Sequence, residues 1–225
     1  MKQQMQFQPG KSPSIGPKAA IIAWYVVCAT AAAWMWFGAP EGAAPPAVAG
    51  RQLLLLCCAA LYIGRAAHTL FVFVKRTVPW WEAMWGGSII GVVLFLFLRD
   101  GLRAPQPLGA TDALAVLLYL AGSYFGTASE YLRHVWKAEP THRGHIYTGG
   151  LFGWSRHINY FGDLLLFTGL GLLTTHWWTL FVPLGMACNF IFVIIPAHDA
   201  YLAERYGEEF RAYAGQTKRL IPMVY

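Results

Sequence analysis

A chain of 225 residues with 56% hydrophobic, 16% aromatic and only 12% charged residues carries roughly half the charge that coats a water-soluble domain of this size, which excludes an ordinary cytosolic globule. Disordered, collagenous and disulfide-stapled classes are excluded too, because they need low hydrophobicity, a strict glycine period or many cysteines. An integral membrane protein remains, and its formal charge of +6 has to be placed against the membrane before it is read in any other way.

Along the chain, the first 16 residues are polar and rich in Ser, Pro and Gln, with no cleavable signal pattern. Six apolar runs follow, near residues 19–37, 53–74, 83–98, 113–125, 151–174 and 177–196. They predict an all-α, polytopic membrane helical bundle of about six transmembrane helices, the first a signal anchor. An Ala/Pro/Gly-rich connection at 38–50 reads as a flexible loop. Six crossings put both termini on one side. Thirteen of the 17 Lys and Arg lie on that side, three (Arg51, Arg99, Arg103) on the other, and Arg65 within a span. This asymmetry predicts cytoplasmic termini and accounts for the basicity with no need for nucleic acid. The four cysteines, Cys28, Cys57, Cys58 and Cys188, sit in apolar runs without CxxC or Cys/His spacing and read as buried thiols.

Polar residues that could carry chemistry are unevenly placed. Arg65 and His68 lie in the second span with Tyr62 one turn earlier, and a mid-span cation is costly enough to mark a functional candidate, or a charge pair that holds helices together. The segment from Ser129 to Lys137 reads as a helix leaving the fourth span, with Glu130 and His134, and Arg133 and Lys137, spaced i,i+4. Its bases suit an anionic ligand or simply ordinary surface ion pairs. Arg156, His157, Asn159, Tyr160 and Asp163 then crowd into eight positions at the mouth of the fifth span, where on a helix Arg156, Tyr160 and Asp163 would share a face. Beyond the sixth span stand His198 and Tyr201, one turn apart, and Tyr206, Phe210 and Tyr213, whose spacing of 4 and 3 reads as a packing stripe. No GxGxxG after a strand, GxxxxGK[ST], GxSxG or HExxH occurs, and His142 and His145 are the one close His pair, so no metal site is expected.

The ordered series Gly150-Leu151-Phe152, then Ser155-Arg156-His157-Ile158-Asn159-Tyr160-Phe161-Gly162-Asp163, then His198 to Tyr201, then Leu220-Ile221-Pro222 resembles the C-terminal region of the steroid 5-alpha reductase and sterol reductase superfamily, including its uncharacterised bacterial members. The likeness covers about residues 127–225. It implies a polar cytoplasmic segment at 1–18, substrate-side transmembrane helices at 19–126 and a cofactor-binding region at 127–225, in a bacterial plasma membrane. It also implies NADPH held in a cytoplasm-facing cavity and reduction of an activated carbon–carbon double bond in a lipophilic substrate from the bilayer. By the same resemblance, Asn159, Tyr160 and Asp163 match the cofactor motif, His198 and Tyr201 its HxxY element, and Glu130 and Lys137 an acidic and a phosphate-binding position. Arg156 and His157 fall within the motif. Tyr62 stands where the family has a proton-donating Tyr, with Arg65 supporting, though the first two spans hold no carboxylate to match that tyrosine's usual glutamate partner.

Tyr206-Gly207-Glu208-Glu209-Phe210-Arg211-Ala212-Tyr213 also resembles the isoprenylcysteine carboxyl methyltransferases, which use S-adenosylmethionine. Ile158 in place of that family's Pro, together with Asn159 and Asp163, favours the reductase. A non-catalytic membrane protein of the same fold stays open as a third class.

Overall fold

The computed structural model describes residues 14–37 and 46–225. The polar segment before residue 14 and residues 38–45 of the Ala/Pro/Gly-rich connection lie outside the described residues. Among the described residues there is no strand, and the chain is an all-α membrane helical bundle. Four helical stretches of the described residues, Ile15–Phe37, Ala49–Phe73, Trp80–Gly101 and Trp177–Tyr206, are long and apolar enough to cross a bilayer. The chain is therefore a multi-pass integral membrane protein. The two other expected spans also fall on helices, Ala110–Ala138 and Ile158–Leu173. The first of these carries its polar end residues in its last turns, and the second, at 16 residues, is only about 24 Å long.

The chain divides into two compact units, residues 14–37 with 52–103, and residues 46–51 with 104–225. In the first unit, α1 (Ile15–Phe37) buries Ile21, Tyr25, Cys28 and Ala32 at spacings of 4, 3 and 4, the stripe a helix needs to meet a partner. That partner is α4 (Ser88–Gly101), which follows α2 (Pro46–His68), a π-helical turn at Thr69–Phe73 and the short α3 (Trp80–Glu82). Lys18, buried in α1, donates its Nζ to the Val74 carbonyl at 2.6 Å, and the Ser14 hydroxyl accepts the Val78 amide at 2.8 Å. These bonds satisfy backbone groups where the second span ends.

The second unit is built on α5 (Ala110–Ala138) and α6 (Ile158–Leu173), which run antiparallel. The buried residues of α5 are Asp112, Ala115, Tyr119, Gly122, Gly126 and Ser129, again at alternating 3 and 4 spacing. They meet Ile158, Gly162, Leu166, Gly169 and Leu173 of α6. Gly122 and Gly126 form a GxxxG pair, and the backbones touch: a Cβ on Gly162 would sit 2.7 Å from both the Gly122 oxygen and the Gly126 nitrogen. Lipid tails are as apolar as side chains, so such close backbone contact, rather than hydrophobic exclusion, drives helix association here.

At the start of α5 a buried ion pair closes the seam. Arg51 donates to both oxygens of Asp112 at 2.5 and 2.7 Å, and to the carbonyls of Gln106, Pro107 and Leu173 at 3.0, 2.9 and 3.1 Å. All five guanidinium N–H groups are thereby used. Asp112 also accepts the Gly109 amide at 2.8 Å, capping the helix.

The chain continues through α7 (Phe181–Asn189), a π-helical turn at Phe190–Ile194, α8 (Ile195–Tyr206) and α9 (Glu208–Gln216). Gly207, at φ 55°, makes the break between α8 and α9 in backbone space that favours glycine. Beyond it Phe210 and Tyr213 bury against Ile146 with Tyr206 packed beside them, so the aromatic stripe is a packing surface.

Three substitutions test this architecture by thermal unfolding in detergent. Gly162→Val should lose about 1–3 kcal/mol through overpacking, whereas Gly185→Ala, with nothing within 4 Å of its added Cβ, should be neutral or mildly stabilising. Asp112→Ala should cost about 3–5 kcal/mol by leaving Arg51 buried without its counter-ion; a loss below 1 kcal/mol would show that the pair is dispensable.

Candidate functional site

The polar motif that precedes α6 is not helical. Residues Gly150–Gly153 form a 3-10 turn, Gly150 has φ 56°, and α6 begins only at Ile158. Arg156 therefore stands ahead of the helix and does not share a helical face with Tyr160 and Asp163. The cause is a short backbone pairing: the Arg156 amide donates to the Lys218 carbonyl at 2.9 Å and the His157 amide to that of Arg219 at 3.0 Å. The fully buried Ser155 hydroxyl lies 2.8 Å from the Leu220 carbonyl. Tyr213 adds a bond from its phenol to the Phe152 carbonyl at 2.7 Å, and burial pushes that phenol's pKa up, keeping it a donor.

Asp199 is the hub of the first polar cluster. Its Oδ1 lies 2.9 Å from His157 Nε2, its Oδ2 accepts from Arg156 Nη2 at 3.0 Å, and Arg219 Nε approaches to 3.6 Å. Arg156 spends its other terminal nitrogen on the Ala214 and Thr217 carbonyls at 2.9 and 2.5 Å. A carboxylate only accepts, so His157 Nε2 carries a proton, and Nδ1 is the ring's free position whenever the imidazole is neutral.

A second cluster lies between α5 and α6. Asn159 donates its amide to Glu130 Oε1 at 3.1 Å, and Arg133 donates to Oε2 at 2.5 Å. Glu130 thus has Arg133, at i+3, as an ion-pair partner on its own helix. Burial pushes the Glu130 carboxyl above the usual glutamate range; Arg133 offsets part of this, Asp163 adds to it, and the Asn159 hydrogen bond offsets a little more.

Aromatic rings join the clusters. Tyr160 stacks between His157 and Phe190, with centroids at 5.4 and 4.8 Å. His198 lies 5.5 Å from the His157 ring and 6.5 Å from those of Tyr160 and Tyr201. Its Nδ1 is buried with no hydrogen-bond partner among the described residues, so one polar atom faces this assembly unsatisfied. Tyr201 accepts from Arg205 at 2.6 Å, and Lys137 donates to the Tyr206 hydroxyl at 2.9 Å at an exposed position.

Of the residues singled out in the sequence, the structure groups Glu130 with Asn159 and Asp163, and His157 with Tyr160, His198 and Tyr201. Arg156 is tied to the Asp199 hub, and Lys137 is engaged with Tyr206. Tyr62 and Arg65 belong to the first unit, where Tyr62 is buried with its ring 6.0 Å from that of Tyr25. Asp199, Ser155 and the Arg51–Asp112 pair were not foreseen. The one sequence signal for Asp199 is its position beside His198 in a polar run that leaves an apolar helix. Among the described residues no group of three His, Cys, Asp or Glu could hold a metal ion.

A family described only as "Protein of unknown function (DUF1295)" matches residues 80–217, well over half the chain and all of both clusters up to Thr217. Comparison with curated proteins finds no match.

The raised Glu130 carboxyl gives a signed pH test. Its native state holds a proton more tightly than the unfolded chain, so its contribution to stability falls as pH rises from the ordinary glutamate range through the raised native value. The melting temperature of the wild type relative to Glu130→Gln should therefore decline as pH rises above the ordinary glutamate range, from about pH 4 upward. A difference that does not change with pH would remove the buried carboxyl from the account.

Proposed function

The chain belongs to the DUF1295 family, and from that premise we propose that it is an integral-membrane, NADPH-dependent reductase of an activated carbon–carbon double bond in a lipophilic, steroid-like substrate, its cofactor side facing the cytoplasm. The observation that carries this proposal is the Asn159–Glu130 hydrogen bond, with Asp163 and Arg133 beside it. Carboxylates backed by an amide and a guanidinium at a helix mouth suit ribose hydroxyls and a carboxamide, and the resemblance assigns Asn159, Tyr160 and Asp163 that role.

The donor set fits such a cofactor in its remaining parts. The buried Nδ1 of His198 is open to a ligand hydrogen bond, with the Tyr201 ring beside it and Tyr160 held in place by its stack between His157 and Phe190. Exposed Lys137 and Arg143 and half-buried Arg133 carry charge for phosphates. Arg156 does not serve as a free phosphate ligand: with its terminal nitrogens on Asp199, Ala214 and Thr217, it holds the loop that carries His157. When bound, NADPH supplies a hydride. Proton delivery is assigned to the Tyr62 hydroxyl, and Arg65 one turn on stabilises the phenolate left behind.

Titrating NADPH, NADH and S-adenosylmethionine into the detergent-purified protein tests the cofactor. Saturable NADPH binding should weaken about tenfold in Asn159→Ala, the loss of roughly one hydrogen bond to a buried polar group. Selective binding of S-adenosylmethionine would instead assign the methyltransferase chemistry that residues 206–213 resemble. With a 3-oxo-4-ene steroid as probe, Tyr62→Phe should keep NADPH affinity and lower turnover by about a hundredfold; unchanged turnover would remove Tyr62 as the donor.

A further inference from the structure

The outer side of α5, away from its seam with α6, carries an uncovered apolar stripe that ends at an acid. Tyr124, Tyr131 and Val135 are exposed, and their spacing of 7 and 4 keeps them on one side of the helix. Leu117 extends the stripe seven residues toward the start of the helix, and it too is exposed. Glu139 follows one turn after Val135, at the C-cap. From Tyr124 to Val135 the stripe is about 16 Å long, close to half of the roughly 30 Å hydrocarbon core.

At its head lies a cavity of about 320 Å³ lined by Tyr131, Val135, Trp136, Glu139, His142 and Tyr147. Its aromatic part is fixed from within. The His142 ring stacks on Trp136 at 4.0 Å and 7°, its Nδ1 donates to the Trp136 carbonyl at 2.8 Å, and the Tyr147 ring lies 5.3 Å from the indole. A carbonyl only accepts, so Nδ1 holds the proton and neutral His142 presents Nε2 as an acceptor. Among the described residues the Glu139 carboxylate makes no hydrogen bond or ion pair, and Tyr131 makes no ring contact. No Lys or Arg lines the cavity.

We propose that this cavity binds the primary ammonium of an ethanolamine phospholipid headgroup, with an acyl chain laid along the Val135–Tyr124 stripe. Aromatic faces and a free carboxylate together select a cation. With His142 able to accept through Nε2 in the same lining as Glu139, the cavity favours an ammonium that still has N–H bonds to give over choline. The apolar stripe leading away from the cavity requires a tail, so the ligand is a lipid rather than a soluble amine. A helix of a second copy, about 10–12 Å across, would cover the stripe but leave the carboxylate and the cavity unfilled.

The test places the purified protein in nanodiscs holding equal amounts of ethanolamine, choline and glycerol phospholipids and weighs the lipids retained by native mass spectrometry. Ethanolamine lipid should be retained over choline lipid by roughly fivefold, the worth of about one hydrogen bond from an N–H that choline lacks. Glu139→Gln should abolish the preference, Glu139→Asp should keep part of it, and Tyr131→Ala, which removes an aromatic face open to either cation, should lower retention of both lipids. Both positions are exposed, and unchanged thermal unfolding confirms that the fold is intact. Equal retention of the two lipids, or an undiminished preference in Glu139→Gln, would overturn the site. Competition by soluble phosphoethanolamine as strong as that by its lysolipid would overturn the lipid occupant. High-yield disulfide cross-linking of Val135→Cys between copies, without lipid preference, would assign the face to a second copy instead.

Discussion

The second unit depends on one contact: the bare backbone approach of α5 and α6 through Gly122, Gly126, Gly162 and Gly169. Where two helices meet without side chains between them, their separation and register have almost no freedom, because any shift brings backbone atoms into collision or opens an unfilled gap. Both ends of the seam inherit that rigidity. At one end it sets Glu130 against Asn159, and at the other it leaves Asp112 where Arg51 can reach both of its oxygens. A polar cluster built this way needs no mobile loop to bring its members together.

Charge in this chain is scarce, and the buried and half-buried acids are shared rather than paired one to one. Asp199 serves His157, Arg156 and Arg219; Glu130 serves Arg133 and Asn159; Asp112 takes both ends of Arg51 and a helix-capping amide. An acid that accepts several hydrogen bonds recovers more of its desolvation cost than one facing a single cation. This sharing separates holding from chemistry. Asp112 and Asp199 have their oxygens occupied and fix backbone segments, while Glu130, with Asp163 beside it and its own carboxyl pushed up, remains responsive to protons.

What the sequence makes legible here is what depends on neighbours along the chain. Apolar runs mark the six long helices of the described residues because transfer into lipid is summed over consecutive residues, and the 4 and 3 spacing of Tyr206, Phe210 and Tyr213 marks their packing because a helix face is periodic. The misses are contacts made by distant partners. Asp199 meets Arg156 and His157 across 43 and 42 positions, and Arg51 meets Asp112 across 61, separations that no local pattern encodes. The start of α6 is misjudged for the same reason. Arg156 and His157 look as helical as the residues that follow, but the carbonyls of Lys218 and Arg219 take their amides first.

The π-helical turn at Phe190–Ile194 shows how the hub becomes possible. There the Ile195 amide bonds the Phe190 carbonyl five residues back, so one extra residue is accommodated within the turn. In an unbroken α-helix, residues five apart point about 140° from one another, and Phe190 and Ile195 would face different surroundings. With the extra residue they share one buried cluster with Leu220, against Tyr160. Everything after the turn is rotated with Ile195, including His198, which comes beside the rings of His157 and Tyr160, and Asp199, which comes within reach of Arg156 and His157. A regular helix would have packed as well in lipid, but it would have carried that carboxylate away from its cations. The local departure from α-geometry is thus what lets one span both fill the core around Phe190 and close the polar hub four residues beyond Ile195.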